Sequence, residues 1–141
     1  MRGDLDESVR GNAPEGPALM AAWVEWLRSM RWDWYVTLAF GYPVTAAHAL
    51  RAVGRWLEPL PEAYGAVGLQ HGPAGDRLHV HALVGGTGRH HLRASYLRGS
   101  WRRGSIVLDG YHPRLGGVEY LVRQASVIEL VGSPRPYRPR R

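Results

Sequence analysis

Between residues 17 and 30 the apolar positions Leu19, Met20, Trp23, Trp26 and Leu27 recur three and four apart, which predicts a helix with one buried face. The pattern then changes. Trp32 to Phe40 is aromatic and β-branched and stops at Gly41-Tyr42-Pro43, as a strand running into a turn does. Thr45 caps a second helix with Leu50, Val53, Trp56 and Leu57 on its apolar face, and Pro59 and Pro61 stop it. Tyr64–Gln70 and Leu78–Val84 read as two strands joined across Gly72–Asp76, too short a connection for anything but an antiparallel hairpin. His90–Leu97 is helical, Arg103–Leu108 is a short alternating strand, and Leu115–Val127 carries a last helical pattern through Val118, Leu121, Val122 and Ala125.

This order, α-β-α-β-β-α-β-α, predicts one α+β domain: a central antiparallel sheet of about four to five strands with helices packed on it. The domain is expected over residues 17–130. Residues 1–16 are polar and acidic and are expected to be disordered, and residues 131–141 form a basic tail of alternating proline and arginine. Trp23, Trp26, Trp32, Trp34 and Trp56 fall at core periodicity and are assigned to packing.

Composition narrows the partners. With 45% apolar residues and no apolar run of membrane-spanning length, the chain reads as a globular protein with no membrane partner. Met1 to Asp6 lacks the apolar stretch of a leader, and cysteine is absent, which excludes disulfides and thiolate metal sites; a cytoplasmic location is expected. Formal net charge is +6, and all 18 basic residues are arginine, whose fork pairs with phosphate and stacks on bases. Arginine usage can reflect a G+C-rich genome; the positive net charge cannot, and it points to nucleic acid.

The candidate chemistry begins in Leu78–Val84. Alternation along a strand places His79 and His81 on one face, about 6–7 Å apart, with Leu78, Val80, Ala82 and Val84 on the other. Two imidazoles on one rigid strand suit a divalent metal, which then needs at least one further ligand. Tyr120, Arg123 and Gln124, three and four apart, share a stripe of the last helix. A phenol beside a metal and an arginine is an arrangement for phosphoryl transfer: the phenol attacks phosphorus while cation and guanidinium take up developing charge.

Three stretches together resemble the HUH single-strand DNA endonucleases, above all the rolling-circle replication initiators of phages and plasmids. Tyr35-Val36-Thr37-Leu38-Ala39-Phe40 looks like their first motif strand, Leu78-His79-Val80-His81-Ala82-Leu83-Val84 like their metal strand, and Gly117-Val118-Glu119-Tyr120-Leu121-Val122-Arg123 like their nucleophile helix. Trp101, Gly104 and Tyr111-His112-Pro113 are similar to the initiators' spacer. The likeness runs from Trp32 to Gln124. It implies a tyrosine, Tyr120, that cuts single-stranded or hairpin DNA, leaves a free 3′-hydroxyl and keeps the 5′-phosphate as phosphotyrosine, with Mg²⁺ or Mn²⁺ on His79 and His81. Unwinding would fall to another protein such as a host helicase.

Two positions depart from the initiators. Where they commonly carry an acidic third ligand this chain has Gln70, and where they place lysine three residues after the tyrosine it has Arg123. The single-strand transposases of small insertion sequences, which act as dimers, instead take the third ligand from a glutamine four residues after the tyrosine, and Gln124 matches that spacing. Either Gln70 or Gln124 is therefore the third ligand, and the chain is a monomer or a homodimer. The spacer and first strand side with the initiators. A relative that binds single strands or hairpins without cutting is the alternative from another class. For DNA binding, Arg77, Trp101, Arg102, Arg103 and Arg123 are the candidates, because arginines interleaved with aromatics suit exposed bases and phosphates; Trp101 has the competing role of a core tryptophan.

Overall fold

A computed structural model describes residues 16–71 and 78–132. In chain order the elements are α1 (Pro17–Arg28), β1 (Trp34–Ala39), α2 (Ala46–Leu57), β2 (Tyr64–His71), β3 (Leu78–Gly85), α3 (His91–Ser100), β4 (Ile106–Gly110), α4 (Gly117–Gln124) and β5 (Val127–Val131). The strands form one antiparallel sheet in the order β4-β1-β3-β2-β5, so the strand carrying His79 and His81 lies at its centre. This is the expected α+β domain, with a fifth strand.

Local chemistry sets the element ends. Pro17 opens α1, where its missing N–H leaves no helical bond unmade. Thr45 caps α2, its hydroxyl accepting from the His48 N–H at 3.1 Å. Each face of the sheet carries its own core. Val36, Leu38, Leu69, Val80 and Val84 pack against α2 and α3. Ala66, Leu83 and Ile128 pack against Trp23 and Leu27 of α1 and Val118, Leu121 and Val122 of α4.

The structure corrects three expectations. The helical pattern over 115–127 is broken: Pro113–Leu115 forms a 3₁₀ turn, Gly116 takes a left-handed φ of 73°, and α4 begins only at Gly117. The helix ends at Gln124, because Ser126 turns its N–H to the Leu69 carbonyl at 2.7 Å and Val127–Val131 then pairs with β2 as an edge strand. The strand expected over 103–108 starts three residues later, at Ile106. Trp26, assigned to packing, lies at the surface of α1, edge-on to Trp23 with ring centroids 5.9 Å apart. Residues 1–15 and 133–141, which hold most of the expected terminal segments, fall outside the described residues, and so do the loop 72–77 and Arg77. Among the described residues no helix is long and apolar enough to cross a membrane.

Candidate metal and nucleophile centre

Cross-strand register assembles the site. His81 sits between Thr37 of β1 and Gly68 of β2, and His79 sits between Ala39 and Gln70. Partners directly opposite in antiparallel strands point to the same face. Thr37, His79, His81 and Gln70 therefore share the face that α1 and α4 only partly cover. Gly68 has a packing reason: a Cβ there would lie 3.1 Å from both Ala125 Cβ and Leu121 Cγ, so the absence of a side chain lets α4 settle close to the histidine strand.

A chain of polar contacts crosses this face. Thr37 Oγ1 lies 3.5 Å from His81 Nδ1, His81 Nε2 lies 2.9 Å from Gln70 Oε1, and the Gln70 amide donates to Gln124 Oε1 at 3.2 Å. In the tautomer that satisfies all three, the threonine hydroxyl donates to Nδ1 and Nε2–H donates to the glutamine oxygen. Burial, and then the nearby His79, hold the His81 pKa below its ordinary 6.5, so the ring is neutral at physiological pH. His79 is exposed on the same strand.

α4 brings the phenol. Val118, Leu121 and Val122 face the core, which turns Tyr120, Arg123 and Gln124 toward the open part of the face. The Tyr120 ring stands edge-on to His81, centroids 5.5 Å apart, and remains 40% exposed, so the hydroxyl-bearing side chain is open to a substrate. The Arg123 guanidinium lies 5.7 Å from the centre of the Tyr120 ring. An ion pair between Arg28 of α1 and Glu119 braces the helix.

Beside Tyr120 opens a cleft of about 570 Å³, also lined by Tyr35, Thr37, His81, Asp109, Tyr111 and His112. Tyr35 packs against the start of α4, where a Cβ on Gly117 would come within 2.8 Å of its ring. Its buried hydroxyl has no partner among the described residues, and burial, followed by the charge of Tyr120, raises its pKa well above the ordinary value. Burial likewise raises the pKa of Tyr111; Arg28 opposes the shift and Glu119 adds to it.

The sequence candidates thus divide. Tyr120, His79, His81, Gln70, Gln124 and Arg123 are brought together. Arg102 and Arg103 are not: they line a separate groove with Arg55 and Tyr42, where the Arg103 guanidinium donates to the Tyr42 hydroxyl at 3.3 Å. Trp101 is corrected as a base-stacking residue. It is 5% exposed, its ring packs edge-on to Phe40 and Trp56, and its N–H reaches the Ala39 carbonyl. Sequence reasoning passed over Tyr35, Thr37 and Asp109 as site residues. Their signal was the odd-numbered alternation of β1, which shares a face with His79 and His81 once the strands are paired, and Asp109 lies opposite Tyr35.

No family model, curated protein or solved structure matches this chain. The donor set itself can be tested against a divalent ion. Among the described residues no third His, Cys, Asp or Glu joins the two histidines, and the side-chain oxygen nearest His81 Nε2 in hydrogen-bond contact is that of the Gln70 amide. The 2.9 Å between His81 Nε2 and Gln70 Oε1 is close to the roughly 3 Å that separates neighbouring ligands of an octahedral cation. In the tautomer that donates to Gln70, Nε2 carries the proton, so a cation would bind there only after the ring moves its proton to Nδ1 and the contact with Gln70 opens. Two neutral imidazoles and an amide oxygen fit an open divalent site that leaves positions for water and phosphate, with less charge neutralisation than a carboxylate would bring.

Proposed function

We propose that this chain is a metal-dependent endonuclease of single-stranded DNA with Tyr120 as nucleophile, nicking the origin of a plasmid or phage as the initiators it resembles do. The observation that carries the reading is Tyr120 standing edge-on to His81, itself joined through Gln70 to Gln124. A phenol, two imidazoles and an arginine converge on one open face of a rigid sheet, in a chain with a net charge of +6 that suits a polyanion.

In the proposed step the Tyr120 oxygen forms a bond to phosphorus and the bond from phosphorus to the 3′ oxygen breaks. The phenol proton passes to solvent and the departing oxygen takes one up, leaving a free 3′-hydroxyl and a 5′-phosphotyrosine. Arg123, over the Tyr120 ring, supplies positive charge for the phosphate oxygens. His79 and His81, with the amide oxygen of Gln70 or Gln124, would hold Mg²⁺ or Mn²⁺, which when bound withdraws charge from a non-bridging oxygen. One contact favours a second assignment: the Gln70 amide donates to Gln124, which puts Gln124 at the site as the transposase-like reading requires.

The test is a denaturing gel of the purified protein with 3′-labelled single-stranded and hairpin oligonucleotides, with Mn²⁺ or EDTA. A protein-sized labelled band that needs both metal and Tyr120 is expected. Binding on a native gel with no such band in any condition would replace the endonuclease by a DNA-binding module.

A further inference from the structure

We infer that the cleft beside Tyr120 is a pocket for one unpaired nucleobase, and that Asp109 makes it select a base carrying an exocyclic amino group over thymine. The inference rests on the single-strand reading of the neighbouring site and adds to it a sequence preference.

Three observations carry it. The cleft, about 570 Å³, has room for a nucleotide, and its walls include the rings of Tyr35, Tyr111, His112 and Tyr120. Flat aromatic walls accept the face of any base and so provide binding without choice. Choice needs a directed polar group, and Asp109 is the carboxylate among the lining residues. It projects from edge strand β4, opposite Tyr35 in register and so on the same face as His81 and Thr37. A carboxylate only accepts hydrogen bonds, and an amino group such as cytosine N4 is its complement in base recognition. Thymine presents carbonyl oxygens where cytosine and adenine present that amino group, and an oxygen facing a carboxylate is repelled.

The surroundings fit a nucleotide rather than an isolated aromatic amine. Tyr111 lines this cleft and also the adjoining groove, whose other walls include Arg28, Arg31 and Arg89. Arg89 holds the shared corner by donating to the Tyr111 carbonyl at 3.1 Å, and it passes so close to Gly110 that a Cβ there would lie 2.2 Å from its guanidinium. A strand that seats a base against Tyr111 therefore runs its phosphates toward arginines.

The experiment is fluorescence anisotropy of labelled oligodeoxycytidylate and oligothymidylate, each about twelve nucleotides long to cover the site. The full-length Tyr120→Phe protein is used in Mn²⁺, so that binding is read without cutting, at slightly alkaline pH where both probes are unstructured. Cytidylate is expected to bind at least about fivefold more tightly. Asp109→Ala, at an exposed edge-strand position, should bring the two affinities together while thymidylate binding holds or rises, since a negative charge has gone. Equal affinities in the parent, or a preference that survives Asp109→Ala, overturn the pocket assignment and leave the single-strand reading standing. Binding of neither probe overturns both.

Discussion

On the face covered by α2 and α3, the strands turn Val36, Leu38, Leu69, Val80, Ala82 and Val84 inward, and helix side chains close over them. On the face covered by α1 and α4, the same strands present two different surfaces. Ala66, Leu83 and Ile128 lie under the helices, while Thr37, His81, Gln70 and the exposed His79 lie beyond them. The first face gains stability from continuous apolar burial. The second gives up part of that burial to keep a polar row at the centre of the sheet, where strand pairing on both sides holds its backbone rigid. Thr37, His81, Gln70 and Gln124 contact one another in sequence along the row, and His79 faces solvent, which is what makes a half-covered polar surface tolerable. Comparing the faces shows how one period-2 strand can serve as scaffold and as site: Leu78 and Val80 build the core, while His79 and His81 point the other way.

That contrast predicts that chemistry and stability separate by face. Tyr120→Phe should lower covalent adduct formation by more than about a thousandfold while the thermal midpoint is unchanged, because the side chain is exposed; single-turnover gels and a melting curve read the two effects. Leu38→Ala, at a fully buried position of the opposite face, should cost about 2–5 kcal/mol in urea unfolding and leave the adduct rate per folded molecule intact. A large loss of rate in that variant would show that the faces are coupled.

Gly68→Ala probes the seam between core and site. Its methyl would meet Ala125 and Leu121 at 3.1 Å, so α4 must shift, at about 1–3 kcal/mol, and adduct formation should fall further than stability explains. Trp101→Phe should cost about 1–2 kcal/mol through lost packing and leave DNA affinity unchanged, since the indole is buried. The smallest effect is on pH. The folded state holds the His81 pKa below the ordinary 6.5, so the unfolded chain binds the proton more readily. Its contribution is complete above the unfolded value and is lost as pH falls from there toward the folded one. Thermal midpoints measured on the acid side of 6.5 should therefore decline less steeply in His81→Gln than in the parent.

The sequence and the structure agree where a signal is local. Strand alternation placed His79 and His81 on one face, helical spacing put Tyr120 and Gln124 on one stripe, and Thr45 marked the start of α2; all three are found. They diverge where the outcome depends on distant partners. The helical pattern runs to Val127 and assigns residues 128–130 to no element and 131 to the tail. The reason is that a strand of five residues, Val127–Val131, has too little pattern of its own and forms by pairing with β2. Trp101 stood among arginines in the chain, and only the approach of Phe40 and Trp56 made it a core residue. Tyr35 and Asp109 carried no chemical signature until strand register set them opposite each other.

The sequence by itself determined the class of fold, the central hairpin, and the residue types from which a metal and nucleophile site would be built, because periodicity and capping act over a few residues. Tertiary structure decided which of them meet. It joined Gln70 and Gln124 in one hydrogen-bonded chain where the sequence could only pose them as rivals, and it left Arg102 and Arg103 in another groove. The reason is register: one residue of slip in any strand would turn its whole set of side chains to the other face, and that choice is made by the packing of the sheet against its helices.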